Sequence, residues 1–247
     1  MKRTEDKLPT GEIVVENRAV AWLANLWYHY KWTIIVVLFF GIVLTVGLVQ
    51  CAQKESTDVS VGYAGNYVMD KEQQDILRRA LSGTLPKDYN EDGNRTAALY
   101  TYSIFSDEEM KKNATAADGI LDSYTYQAAK KTNQEEISGL RTFLQTGECS
   151  VWIMGEYAYR ESYINVQHFA RPVAEVASLP EGMAYDAYAV RLCDTALYRQ
   201  YTALQFLPED TLVVLLHPLQ WGASGDDATY QRAVESFCAI VGVSPIG

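Results

Sequence analysis

The sequence predicts an α/β protein, with a single N-terminal transmembrane helix followed by an extracytoplasmic domain in which helices flank a largely parallel sheet. Three observations predict this fold class. Residues 32–53 carry no charge, and these 22 residues are enough for a helix to cross a hydrocarbon core of about 30 Å. Strand and helix patterns alternate through the remaining chain. Residues 211–216 form a continuous apolar run, which is typical of a strand covered on both faces.

The charges on either side of the uncharged stretch predict its orientation. Basic residues are concentrated before it, whereas acidic residues dominate after it. Positive charge is retained on the cytoplasmic side, so the N-terminus is expected there, in a single-pass protein of the cell membrane. We therefore predict a cytoplasmic tail, a transmembrane helix in contact with the lipid bilayer, a short tether and an extracytoplasmic domain at residues 1–31, 32–53, 54–58 and 59–247.

Two features near the anchor leave alternatives open. Residues 14–30 carry apolar side chains at helical spacing, which fits an interfacial helix, and a simple loop is the alternative. The end of the stretch resembles a lipoprotein cleavage box that terminates in Cys51, but Gln50 stands where a small residue is required. We therefore expect an anchor that is not cleaved.

Composition limits the partners of the outer domain. The 193 residues after Lys54 include 27 acidic and 15 basic residues, without a basic run longer than two. This charge argues against a nucleic-acid partner. Cys149, Cys193 and Cys238 are an odd number with wide spacing and indicate no disulfide framework or zinc site, so we expect small buried hydrophobic side chains. A single disulfide between two of them stays open.

Local signals mark the first half of the domain. Apolar alternation predicts a strand from residue 59, and Asp70 follows it as the start of a helix. Residues 97–105 form the next predicted strand. Ser106 and Glu109 then have the spacing of a capping box, which predicts another helix.

The second half repeats the pattern. Thr132 and Glu135 predict a helix start, Gly147 its end and residues 150–154 a strand, while residues 113–131 fit either a helical excursion or a crossover. Asp194 is expected to cap a helix that carries Leu197, Tyr201 and Leu204. Asp226 and Asp227 predict the start of a last helix, whose buried face is Tyr230, Val234, Phe237 and Val241.

The order of these segments carries a resemblance. VSVGYAG, DYNEDGN, LRTFLQTGECSVWIMGE and LPEDTLVVLL follow one another between residues 59 and 216. This succession resembles bacterial extracytoplasmic solute-binding proteins, in particular reduced, membrane-tethered relatives in Gram-positive bacteria. The resemblance implies capture of a solute outside the cell. Usual members are longer, with two lobes and a cleaved lipid anchor, and this chain departs from them in both respects.

The turn at residues 88–94 resembles a metal site in part. Asp88, Asn90 and Asp92 followed by Gly93 match the start of a calcium loop, but the twelfth position is Leu99 instead of a bidentate acid. The sequence therefore favours an Asx-rich turn with Gly93 at positive φ. We expect neither a metal nor another cofactor.

The candidate ligand-binding residues follow predicted strands. In an α/β sheet, ligands lie beyond the carboxyl ends of the strands, where loops lead into helices. Asn66 and Tyr67 follow the first strand, Glu156 and Tyr157 follow the third, and Trp221 follows the last. Aromatic side chains in such loops can stack on a sugar or a peptide.

The sequence leaves three function classes open, of which an enzyme is ranked last. No metal-spaced histidines or GxSxG motif occur, although a pairing of His168 with Cys149 or Cys193 stays open. The first function is a membrane-anchored, non-catalytic binding domain for a small solute or peptide. The alternative is a structural or assembly module that docks on another membrane or envelope protein. A concave cleft would favour the first, and a flat apolar patch the second.

Overall fold

A computed structural model describes residues 18–52, 57–161, 164–219 and 227–246. The chain divides into two compact units, Met1–Glu55 and Ser56–Gly247. The predicted tail up to residue 17, most of the tether, and the side chains of Cys51, Trp221 and Asp226 lie outside the described residues.

The described part of the first unit is one long helix, α1, Arg18–Ala52. Within the described chain it is the one helix long and apolar enough to cross a membrane, over the 22 residues Leu26–Gly47, and its side chains are not buried by the protein. The helix begins before residue 32 because no glycine or proline interrupts residues 18–31. The segment proposed as an interfacial helix is thus helical from Arg18 and continuous with the apolar stretch.

The second unit is built on a mixed five-stranded sheet. Its strands are β1 (Val59–Gly65), β2 (Ala97–Ser103), β3 (Val151–Gly155), β4 (Ala189–Arg191) and β5 (Thr211–Leu215), in the order β2-β1-β3-β5-β4. β1 pairs in parallel with β2 and β3, whereas β5 is antiparallel to both β3 and β4. The α/β class is confirmed, and the expectation of a largely parallel sheet is corrected to a mixed one. The sequence correctly predicts that β5 is buried on both faces, but a strand buried on both faces can be either parallel or antiparallel to its neighbours.

Helices cover both faces of the sheet. They are α2 (Lys71–Thr84), α3 (Asp107–Asn113), α4 (Ser123–Thr146), α5 (Glu156–Arg160), α6 (Val166–Phe169), α7 (Ala196–Gln200) and α8 (Asp227–Val241), with 3-10 turns at Val173–Glu175, Leu192–Asp194 and Thr202–Leu204. One hydrophobic cluster joins the sheet to α2 and α8, and a second joins the opposite face to α4 and α5. The domain is therefore a three-layer sandwich.

The second cluster requires a glycine in β1. The ring of Trp152, fully buried in β3, lies so close to Gly62 that a Cβ atom there would be 2.4 Å from Trp152 Cε3. Glycine is the residue that leaves space for such a contact. The indole N–H of Trp152 donates to the Cys149 carbonyl at 3.0 Å, which satisfies its buried polar group.

Several predicted helix ends are confirmed. Asp70 caps α2 and Ser106 caps α3, and in both cases the side chain at the third helical position, Gln73 or Glu109, completes a capping box. Gly147 ends α4 with φ 64°, a left-handed conformation that glycine adopts without strain. These signals depend on residues that are neighbours in sequence, so they predict helix ends independently of the tertiary arrangement.

Two predicted helix starts are wrong. α4 begins at Ser123, where Asp122 accepts hydrogen bonds from the amides of Tyr124 and Thr125, so Thr132 lies inside the helix. Residues 113–131 therefore contain a short turn and the start of α4. α7 is capped by Thr195, since the neighbouring Asp194 belongs to a 3-10 turn. Because α7 is only five residues long, Leu197, Tyr201 and Leu204 do not share one helix.

The described cysteines form no disulfide. Cys149 and Cys238 are buried and Cys193 is partly exposed, and all three are free thiols. The Sγ of Cys149 donates to the carbonyls of Ser60 and Val151, at 3.2 and 3.1 Å. Burial raises the pKa of Cys149, so the thiol stays protonated. The expectation of small buried side chains is met by Cys149 and Cys238.

A buried carboxylate fixes the entry of the chain into the sheet. Asp58 is only 5% exposed and accepts the backbone N–H groups of Tyr89, Asn90 and Thr96, at 2.6, 2.9 and 2.7 Å. The amides of Tyr89 and Asn90 belong to the predicted Asx turn, in which Gly93 has φ 90° and donates its N–H to Asp88, and the amide of Thr96 follows that turn. The turn is confirmed as an Asx-rich one.

Replacement of Asp58 by alanine tests this arrangement. Asp58→Ala leaves three amides without their acceptor, and we expect a loss of at least about 2 kcal/mol in the free energy of unfolding, measured by urea denaturation. The control is Asp75→Ala, which removes a half-exposed ion pair with Arg78 and should change stability by less than about 1 kcal/mol. Equal losses in the two variants would contradict the role given to Asp58.

Candidate functional site

The direction of β5 determines which residues meet at one end of the sheet. Gly155, at the end of β3, pairs with Thr211 at the start of β5, and Arg191, at the end of β4, pairs with Leu212. The loop that precedes β5 therefore joins the loops that follow β1, β3 and β4. We call this end of the sheet the carboxyl edge.

A cavity of about 530 Å³ lies at the carboxyl edge. We call it the carboxyl-edge cleft. Its size is within the range of pockets that hold small molecules. It is lined by Glu156, Tyr185, Arg191, Cys193, Tyr198, Glu209, Asp210 and Leu212.

Tyr185 is held in the cleft by the loop before β4. A bridge between Ala184 and Val190 folds this loop back on the strand. The carboxylate of Asp186 accepts the N–H of Ala189 at 3.0 Å and the hydroxyl of Tyr159 at 2.8 Å, which ties the loop to α5. The position of Tyr185 is therefore set by several contacts outside the cleft.

Glu156 is already paired on one side of the cleft. The Tyr185 hydroxyl donates to Glu156 Oε1 at 2.7 Å, and Arg160 Nε lies 3.1 Å from the same oxygen. Arg160 also donates to the Tyr185 hydroxyl. The Arg191 guanidinium is 5.7 Å from the centre of the Tyr185 ring, a cation–π distance. The Tyr185 ring thus lies next to two cationic groups.

Asp210 carries a charge without a counter-cation in the described part of the chain. Partial burial raises the pKa of its carboxyl above the usual value, and the nearby carboxylates of Glu156 and Glu109 raise it further. Within the described residues it forms no ion pair. The guanidinium of Arg191 also forms no ion pair within the described residues. The cleft therefore presents one carboxylate and one guanidinium that are both available to a ligand.

Asn66 lies beside the cleft, where the loops after β1 and β3 approach each other. A Cβ atom on Gly155 would be 3.3 Å from the Gly65 Cα atom and 3.8 Å from Asn66 Oδ1. The Asn66 amide donates to Glu109, while its buried Oδ1 has no hydrogen-bond partner among the described residues. Burial opposes ionisation of Glu109, but hydrogen bonds from Asn66 and Ser106 hold its pKa below the usual range.

Tyr67 and Tyr157, which were also predicted as ligand contacts, do not line the cleft. Tyr67 packs on Phe206 with 5.7 Å between ring centroids, and its hydroxyl accepts from Gln73 at 2.6 Å. Tyr157 lines a different cavity, between α3, α4 and α5. Trp221 is outside the described residues. Glu156 is the predicted residue that lines the cleft.

Sequence reasoning missed most of the cleft. Tyr185, Arg191 and Asp210 had no motif, and only their place next to short strands could have indicated them. The described residues contain no group of three or more His, Cys, Asp or Glu that could hold a metal ion.

No family model, curated protein or solved structure matches this chain. Its function is therefore inferred from the chemistry of the cleft.

The raised pKa of Asp210 predicts a pH-dependent effect on stability. A carboxyl whose pKa is higher in the folded than in the unfolded protein binds more protons when folded, so ionisation lowers stability as the pH rises through this pKa. We expect Asp210→Asn to raise the melting temperature at neutral pH. The difference should disappear at acid pH, where the wild-type carboxyl is protonated.

Glu209→Gln is the matched control for this experiment. It removes one negative charge from the adjacent position and reports the general benefit of lowering the net charge of an acidic domain. Melting curves at several pH values give both comparisons. A gain in Asp210→Asn that is no larger than the gain in Glu209→Gln would contradict the proposed environment of Asp210.

Proposed function

We propose that this chain is a membrane-anchored binding protein whose extracytoplasmic domain captures a small solute or short peptide without catalysis. The carboxyl-edge cleft is the observation that supports it. The ligand class that fits best is a zwitterion, with an ammonium group and a carboxylate, such as an amino acid or a dipeptide. The sequence resemblance to extracytoplasmic solute-binding proteins is part of this proposal.

The charges of the cleft support a zwitterionic ligand. Arg191 offers a planar guanidinium, which binds carboxylates through two parallel hydrogen bonds. Asp210 and Glu209 offer carboxylates to an ammonium group. Each of these side chains lacks an ion-pair partner within the described chain, so a ligand does not have to displace an existing pair.

The aromatic rings of the cleft support recognition of the rest of the ligand. Tyr185 and Tyr198 line the same cavity and present apolar faces together with hydroxyl groups. Tyrosine offers a large contact area with few rotatable bonds, so ordering it costs little entropy. The hydrogen bonds that fix Tyr185 before binding lower this cost further.

A ligand screen tests the binding function. The melting temperature of the full chain in lipid nanodiscs is measured in the presence of single amino acids, dipeptides and sugars. A ligand at 100 times its dissociation constant should add about 2.7 kcal/mol to the free energy of unfolding. We expect amino acids or dipeptides to raise the melting temperature. Arg191→Gln and Asp210→Asn should each weaken this effect at least about tenfold in ligand concentration, because each removes one charge contact.

Arg78→Gln is the control for the ligand screen. It removes an exposed guanidinium of α2 that pairs with Asp75 outside the cleft. Stabilisation by ligand should be unchanged in this variant. A ligand effect that survives in both cleft variants, or no effect in the whole panel, would contradict the proposal.

The proposed location of the domain follows from the anchor. Leu26–Gly47 is long and apolar enough to span the bilayer, and the basic residues before it favour a cytoplasmic N-terminus. We expect a reporter fused after Gly247 that is active only outside the cytoplasm to be active, and the same reporter fused before Met1 to be inactive. The reverse pattern would contradict the proposed orientation.

A specific surface feature favours docking on another membrane or envelope protein as the second candidate. In the connection before α4 and its first turn, Ile120 is 66% exposed and Tyr124 85%, with Leu121 between them also exposed. Exposed apolar side chains that lie together mark interaction sites more often than single ones do. An unresponsive ligand screen would favour this function.

A further inference from the structure

A second cavity lies between α3, α4 and α5, apart from the carboxyl-edge cleft. Its volume is about 660 Å³. Residues of α4 that line it recur every three or four positions from Tyr126 to Arg141, so they share one helix face over about 22 Å. We call this elongated cavity the α4 groove. Tyr157 lines it, whereas the adjacent Glu156 lines the cleft, so α5 separates the two cavities.

Part of the lining of the α4 groove is apolar. Met110 of α3 is buried, and Ile137 of α4 and Tyr157 of α5 are half-buried. Burial and, to a smaller extent, a hydrogen bond to Glu161 raise the pKa of Tyr157 to about 12, so its side chain is neutral. These three side chains can contact an apolar chain or ring, and methionine adapts to ligands of different shape.

The charges that face the α4 groove favour an anion. Lys130 and Arg141 line it, and neither forms an ion pair within the described chain. Asp107 is the acid among the lining residues, but Lys111 lies 2.6 Å from its carboxylate and Tyr126 donates to it. These contacts hold the pKa of Asp107 below the usual value and offset its charge. The groove is therefore basic in a domain that is acidic as a whole.

From this combination we propose that the α4 groove binds a small amphipathic carboxylate. The apolar part lies on Met110, Ile137 and Tyr157, and the carboxylate pairs with Lys130 or Arg141 at the rim. The site is independent of the proposed zwitterion site, because the two cavities share no lining residue. It would give one domain two ligands of different chemistry.

Calorimetric titration of 4-phenylbutyrate into the full chain in nanodiscs tests this site, with empty nanodiscs as the blank. We expect saturable binding of one molecule per chain. Butyrate lacks the ring and 4-phenylbutan-1-ol lacks the charge, so each should bind at least about tenfold more weakly. Absence of saturable binding of 4-phenylbutyrate would overturn the proposal.

Adjacent lysines of α4 provide matched variants. Lys130→Gln removes a charge from the groove and should weaken binding of 4-phenylbutyrate about fivefold. Lys131→Gln is the control, because Lys131 does not line the groove and lies 3.9 Å from Glu135. Its binding should equal that of the wild type. An equal loss in both variants would indicate a general charge effect and overturn the site.

The second variant fills the α4 groove with a larger side chain. Ser138 is exposed and lines the groove, so Ser138→Trp should block binding while the circular dichroism spectrum and melting temperature stay unchanged. Retention of binding in Ser138→Trp would overturn the proposal. Loss of binding in Arg191→Gln together with that retention would place the carboxylate in the carboxyl-edge cleft instead.

Discussion

β5 runs antiparallel to both of its neighbours, and this direction determines which end of the segment reaches the carboxyl edge. Its N-terminal end brings Glu209 and Asp210 beside Gly155 and Arg191. With the opposite direction, the residues after Leu215 would occupy that place, and the cleft would lose both acids. The mixed sheet is therefore more than a detail of topology, since the charge pattern available to a ligand depends on it.

Local chemistry made much of the fold predictable. Capping side chains such as Asp70 and Ser106, and the glycine that ends α4, act through neighbours in sequence, and the apolar pattern of β5 reports burial. The errors arose where several local solutions were equally good. Thr132 and Glu135 have the spacing of a capping box inside a helix that Asp122 had already started, and β4, at three residues, is too short to produce a pattern.

The site was less predictable than the fold for a related reason. Glu156 was identified because it follows a strand that the sequence reveals. Tyr185 comes from the loop before β4, Arg191 from the end of β4 and Asp210 from the loop before β5. They meet Glu156 only through the pairing of β4 with β5 and of β5 with β3. Strand direction is set by the tertiary packing of both faces, and no run of apolar residues contains that information.

The carboxylate of Asp58 also has a mechanical consequence. Asp58 immediately precedes β1, which lies between two parallel partners, β2 and β3. A pulling force transmitted along the chain from its N-terminal side first meets the three amides bound by Asp58 and then the hydrogen bonds of β1 on both sides. These bonds are loaded together, because β1 is bonded to a neighbour on each side. Tension on the chain is thereby kept from the cleft, whose loops lie at the far end of that strand.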